Sequence, residues 1–293
     1  MAKIEIYKAR KGKQVQEERL AAAVAGGAAA TAVSPFTIEV RFLGGLTETQ
    51  KSAFRLAADR WSKVIVGDLP SVQVEGEVVD DVLILAQGAN IDGVGNILGQ
   101  AGPSFLRPAN AGPAAFLPAK GEMTFDSSDL ADMEANGTLN DVITHEMGHV
   151  LGIGTVWTHK NFLRGAGRAN PTFTGPQAMQ EYGNLVGGGV GPRRVPVENH
   201  GGTGTRDSHW REGVFGNELM TGFVGDAPNP LSRLTIASLS DLGYQVDFSA
   251  AEAYALPGPH LLAEAGAVMA HDTGSTRIVL PRIPIVLQEE SLR

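Results

Sequence analysis

The run Asn140-Asp141-Val142-Ile143-Thr144-His145-Glu146-Met147-Gly148-His149-Val150-Leu151-Gly152 decides how the whole chain is read. It contains H-E-x-x-H, in which two histidines four positions apart bind zinc and the glutamate between them acts on a metal-bound water. At about 100° per helical residue, His145 and His149 fall in one narrow sector. Roughly 6 Å separates them there, so both reach a single ion. Leu139, Val142, Ile143, Met147, Val150 and Leu151 cover most of the remaining circumference. The stretch therefore predicts a helix buried on one side and holding metal on the other. Thr138 is expected to cap it, and Gly152 and Gly154 to stop it. The bland alternative is a helix with two solvent-facing histidines and a surface glutamate. Gly152, three residues past His149, argues against that, because it lets the chain turn sharply after the metal helix.

Composition narrows the classes. The 293 residues are 43% hydrophobic and 19% charged, as expected of a soluble globular protein able to bury a sizeable core. A net charge of -8 argues against nucleic acid or an anionic membrane as main partner. No apolar run approaches the ~20 residues that span a bilayer. The chain has no cysteine, so zinc must be held by His, Asp or Glu, and neither disulfides nor a thiol-based latency switch can operate. The 37 glycines gather in the middle of the chain, where an irregular loop needs them.

Working outward from the helix, four segments follow. Residues 1–34 pass from a charged half to an Ala/Gly-rich half and read as a flexible extension or pro-segment rather than a signal peptide. Residues 35–154 form a first subdomain. Phe36 to Phe42 alternates as a half-buried strand. Thr47 with Gln50 makes a capping box for a helix striped by Phe54, Ala57, Trp61 and Val64. Val82–Ala86 reads as a buried strand, Gly88–Pro118 as a long Gly/Pro/Ala loop with short extended pieces, and Gly121–Asp126 as a short strand. The order suits an α+β domain, a twisted sheet backed by two helices with a cleft below its edge. An edge strand above the metal would bind an extended peptide by adding it to the sheet.

Residues 155–256 carry a Gly-rich insertion with one short helix near Gln177–Tyr182, then a helix capped by Ser232 and ended by Gly243. In the tail, 257–293, Pro281 and Pro284 fit an edge strand or an extended covering segment.

A catalytic zinc needs a third protein ligand and an open position. Thr155 stands where the compact version of the motif has its third histidine. The candidates are His159, His200, His209, His260, His271, Glu181 and Glu198. His209 lies in Arg206-Asp207-Ser208-His209-Trp210-Arg211-Glu212, and Asn217-Glu218-Leu219-Met220-Thr221-Gly222 follows shortly after. With these residues the sequence resembles the leishmanolysin family of metzincins. The matching residues are His145, Glu146, His149, Gly152, Ser208, His209, Glu218, Leu219 and Met220, and the likeness runs from about residue 36 to 256.

The resemblance implies a metzincin-like fold, a twisted mixed sheet with a backing helix and the zinc helix, followed by an irregular C-terminal subdomain. It implies His209 as third ligand and Met220 in a turn beneath the metal. There a soft thioether packs without competing as a ligand. It implies a zinc-dependent endopeptidase acting on proteins or peptides, with Glu146 as general base on a zinc-bound water, and export from the cell despite the lack of a convincing signal peptide. A cytoplasmic location is the alternative. Asp126, Asp129 and Asp132 lie where some metzincins bind Ca²⁺; the competing reading is an acidic turn with helix-capping roles. Tyr244 lies where it could approach the site, against a plainer role in the core. Two other functions compete: a binding or structural protein with a vestigial zinc site and a blocked cleft, and a zinc hydrolase of a non-peptide bond.

Overall fold

A computed structural model describes residues 4–10, 36–95, 97–202, 204–224, 228–258 and 278–293. Its centre is a seven-stranded mixed sheet. The strands are β1 (Glu5–Arg10), β2 (Thr37–Gly44), β5 (Val82–Ala89), β6 (Ile97–Leu106), β7 (Pro118–Asp126), β11 (Ile278–Pro281) and β12 (Ile285–Val286). The small hairpin of β3 (Val72–Val74) and β4 (Glu77–Val79) stands apart. Across the sheet the order is β1-β2-β5-β7-β6-β11, with β12 also pairing β6. β2, β5 and β7 run parallel, and β6 is antiparallel to β7.

Two expectations change here. Residues 5–10, assigned from the sequence to a flexible extension, form the antiparallel partner of β2 and bury Ala9. The rest of that extension, residues 11–34, lies outside the described residues, as do residues 1–3. About a third of Gly88–Pro118 is not loop, because β6 runs through it for ten residues, longer than the short extended pieces expected. Its glycine is a packing device: a Cβ on Gly99 would stand 2.2 Å from the Thr124 carbonyl oxygen of β7. A glycine needed for close approach of two backbones looks, in sequence, like one needed for a turn. The tail forms an edge strand, as its prolines suggest, and adds two short strands to the same sheet.

Behind the sheet lie α1 (Glu48–Val64), α2 (Ser127–Asn136) and α3 (Leu139–Val150). The capping box on α1 forms as its residues dictate, Thr47 Oγ1 accepting from Gln50 N at 3.2 Å and Gln50 Oε1 from Thr47 N at 3.0 Å. Its apolar stripe is fully buried, each aromatic contributing about 2–3 kcal/mol. Trp61 also donates its indole N–H to the Thr144 carbonyl at 2.9 Å, which ties α1 to α3 one residue before His145. No helix among the described residues is long and apolar enough to cross a membrane.

The remainder is far less regular. It holds β8 (Leu163–Arg164), β9 (Thr172–Phe173), β10 (Val195–Pro196), α4 (Pro176–Val186), the single-turn α5 (Glu212–Phe215) and α6 (Arg233–Leu242). Trp157 stacks on Trp210 at 4.8 Å between ring centroids, with Phe173 against both, so an aromatic cluster replaces a sheet as the core of this part. Tyr244 is core: 3% exposed, it donates its hydroxyl to the Leu151 carbonyl at 3.0 Å. The α+β architecture expected from the sequence, metzincin-like in its mixed sheet, backing helix and the helix that carries His145 and His149, is the one observed.

Candidate metal centre

Helix α3 places His145 and His149 on one side, and Ile143, Met147 and Val150 in the core on the other. Thr138 starts it with no side-chain cap; its hydroxyl bonds instead to Asn136 Oδ1 at 2.7 Å. After the helix the chain turns through Gly152 and Gly154, at φ of +108° and +75°. Gly154 is needed twice over. Its φ is left-handed, and a Cβ there would stand 2.0 Å from the Ser208 carbonyl oxygen. That contact brings the segment before His209 against the end of α3.

His209 is held by a loop closed on itself through backbone. Glu198 N donates to the His209 carbonyl at 2.9 Å, and Asp207 N to the Glu198 carbonyl at 3.0 Å. The buried Glu198 carboxylate accepts from the amides of Asn199, His200 and Glu212, each at 2.8 Å. Trp210 N then donates to the Met220 carbonyl at 2.9 Å, so this loop and the turn after it are one unit.

The three imidazoles meet. Their Nε2 atoms stand 3.0 Å (His145–His209), 3.0 Å (His145–His149) and 2.8 Å (His149–His209) apart. Each Nδ1 faces a carbonyl oxygen: Leu219 at 2.6 Å for His145, Ile153 at 2.9 Å for His149, Thr205 at 2.9 Å for His209. A carbonyl oxygen only accepts, so Nδ1 carries the proton in every ring and three Nε2 lone pairs converge. Such convergence is repulsive unless a cation takes the lone pairs. The spacing lets one ion with Zn–N distances of about 2.0–2.1 Å reach all three. The nitrogen-only donor set suits zinc.

Protonation agrees with this. Burial, with the neighbouring His149 adding to it, pushes His145 down to about 3, and burial takes His149 to about 4. Burial and then the other two rings hold His209 well below its ordinary value. All three are neutral near pH 7, the state a metal requires. Glu146 lines the same cavity, of about 520 Å³, and burial pushes its carboxyl up to about 8.

Met220 lies beneath this cluster. A Cβ on Gly148, between the two helix histidines, would stand 2.7 Å from Met220 Sδ and 3.0 Å from Trp61 Cζ2. The turn is fixed by the wholly buried Glu218. Its carboxylate accepts from Met220 N at 2.7 Å, Ser232 Oγ at 2.6 Å and Thr235 Oγ1 at 2.5 Å.

Residues 115–257 match the family model of leishmanolysin. Leishmanolysin-like peptidases of Caenorhabditis elegans and Caenorhabditis briggsae are each 47% identical over 58 residues, 19% of this chain. The matched stretch spans only 8% of the length of either relative. The likeness to leishmanolysin therefore rests on residues 115–257. That segment contains all three histidines, Glu146, Glu198, Glu218 and Met220, whereas β1, β2, α1 and β5, which back it, lie outside the match.

The other candidates stand apart from the leishmanolysin-like centre. His159 is exposed and stacks on Phe116, and the His200 side chain is exposed. Glu181 pairs with Arg233 at 3.1 Å, and Glu198 is occupied by backbone amides. His260 and His271 lie outside the described residues. The calcium expectation is set aside. Asp126, Asp129 and Asp132 form no metal-ligating group among the described residues. Asp126 caps α2 through Ser128 N at 2.7 Å and accepts from the amides of Ile91, Asp92 and Gly93. Burial raises that carboxyl, but the four amides outweigh it and hold it at about 2. Asp129 accepts from Gly95 N at 3.0 Å.

What sequence reading missed are the parts that aim the ligands: Gly148, the close contact of Gly154 with Ser208, the amide-binding role of Glu198, and the carbonyls of Thr205, Leu219 and Ile153. Backbone acceptors leave no mark on a sequence. Glu198 alone had a signal, as the one acidic residue between Glu181 and Asp207 in a Gly-rich run.

Proposed function

We propose that this chain is a zinc-dependent endopeptidase with His145, His149 and His209 as metal ligands, Glu146 as general base and Met220 in a metzincin Met-turn. The observation that carries the reading is the convergence of three neutral Nε2 atoms in a cavity that also holds a buried carboxylate. A zinc ion bound there supplies Lewis acidity, which brings the pKa of a coordinated water down towards 7 and polarises a carbonyl. Each ring is kept in one tautomer by its carbonyl partner, so no reorganisation precedes ligation.

Glu146 is the only carboxylate among the cavity's described lining residues. Ionised beside a positive charge, Glu146 would accept a proton at a carboxylate oxygen and return it to the leaving amine nitrogen. The low exposure of Glu146 and the three rings keeps bulk water from competing for that proton. No side chain is needed as a nucleophile.

The competing reading, a binding protein with an idle zinc site, has one observation in its favour: the tail strand β11 lies along the cleft edge. Metal content and casein cleavage, measured together on wild type and Glu146→Ala, separate the two. Both proteins are expected to retain stoichiometric zinc, with cleavage in the variant reduced by about a thousandfold. Cleavage that survives Glu146→Ala sinks the mechanism, and zinc without cleavage in the wild type favours the binding protein.

A further inference from the structure

β6 is the strand that borders the metal cavity, through Leu98 and Ala101. Its inner edge pairs with β7. Its outer edge, where an extended peptide would add as a further strand, is taken by the chain's own tail, with Val279, Leu280 and Pro281 opposite Gly99, Gln100 and Ala101. Val279 and Pro281 line the cavity together with Glu146 and the three histidines. The tail also reaches the opposite wall. A Cβ on Gly204, in the segment leading to His209, would stand 2.8 Å from the Val279 carbonyl oxygen and 3.3 Å from Pro281 Cδ. The segment therefore bridges the cleft from the sheet edge to the loop that carries the third histidine.

Its attachment is uneven. Beyond β12 the tail is fastened: Leu287 N donates to the Leu106 carbonyl, Arg293 N to the Ser71 carbonyl, and Leu292 packs on the small cluster around Val72. Over the cleft, β11 is four residues long, its register slips between Ile278 and Val279, and it ends at a proline with no N–H to give. One ion pair, Arg282 to Glu122 at 2.6 Å, holds it there, and both partners are about a quarter exposed. Leu280 is 38% exposed and Ile283 95%. A short, irregular, solvent-facing strand is displaceable, while the fastened end keeps it at hand.

We infer that Ile278–Pro281 is an autoinhibitory strap. It occupies the sheet edge that an extended polypeptide substrate must use, and substrate binds when β11 peels from β6 while residues 285–293 stay docked. This rests on the peptidase reading of the site. A cleft open for only a tenth of the time weakens apparent affinity about tenfold.

The chain's lack of cysteine permits a clean test on the full-length, zinc-loaded protein. Gln100→Cys with Leu280→Cys, two residues paired in register, locks the strap when oxidised and frees it when reduced. Arg282→Glu loosens it without any new covalent bond, and Glu122→Arg combined with Arg282→Glu restores the ion pair. Binding of fluorescein-labelled casein is read in a Glu146→Gln background, cleavage in the active background, and amide hydrogen exchange of residues 278–281 in both. We expect oxidation to weaken casein binding about tenfold or more, Arg282→Glu to tighten it and speed exchange, and the charge swap to reverse both effects. Equal casein binding by locked and reduced protein overturns the strap, as does an Arg282→Glu variant that exchanges faster at 278–281 yet binds no tighter. If the lock changes binding but no variant cleaves casein, the strap stands and the peptidase reading falls. If casein is cleaved equally by both forms, the peptidase stands and the strap falls.

Discussion

Two regions deliver imidazoles to one point by opposite means. His145 and His149 are placed by a single turn of α3, whose backbone bonds repeat and whose far side is buried among apolar residues. His209 comes from a stretch with almost no repeating backbone structure, and there the work of a hydrogen-bond ladder passes to carboxylates. The buried Glu198 binds three amides, the buried Glu218 binds two amides and two hydroxyls, and the half-buried Asp241 binds the first amides of α4. Buried backbone donors must find acceptors, and a carboxylate offers several in one place. The difference teaches where each half is fragile. The helical half spreads its stability over many small apolar contacts. The loop half concentrates it in a few desolvated charges, each adequate only while all its donors are present.

The sharpest way to break this contrast is to remove the loop's one ligand. His209→Ala is expected to lower zinc affinity on the order of a thousandfold, much as His145→Ala does, with near-ultraviolet circular dichroism unchanged. Metal retention after dialysis against a chelator measures it. Stoichiometric zinc in His209→Ala would mean that the helix alone suffices.

Next comes Glu218→Ala, which strands Met220 N, Ser232 N, Ser232 Oγ and Thr235 Oγ1 in a dry interior. We expect a loss of about 3 kcal/mol or more, roughly 6–12 °C in Tm by calorimetry. A one-methyl deletion in the sheet, Ile38→Val, should cost only about 0.5–1.5 kcal/mol. Similar losses from the two would erase the contrast.

The mildest effect is a pH slope. Burial, reinforced by Glu198, raises the Glu212 carboxyl to about 7 against hydrogen bonds from Thr221 and Phe223. The folded state thus binds a proton more tightly than the unfolded one. The resulting stability is full below the unfolded value of 4.5 and is lost as pH rises through 7. Tm should therefore fall between pH 5 and 8, and Glu212→Gln should make that fall shallower. An unchanged slope would remove Glu212 from the loop's titrating groups.

The sequence by itself determined what is local. The capping box of Thr47 and Gln50, the apolar stripe of α1, and the paired faces of α3 follow from spacing along one helix. So did the glycine stops after His149 and the Ser232 cap, because their partners lie within four residues. It also pointed to His209 and Met220 through short motifs, without stating how they are held. Only the tertiary structure decided that three lone pairs converge, because Leu219, Ile153 and Thr205 act through carbonyls that every residue possesses. Only it turned the glycine-bearing stretch around Gly99 into a strand, since a glycine needed for close approach and one needed for a turn are the same letter. And only it laid Ile278–Pro281 along β6, a pairing across some 180 residues that no local pattern encodes.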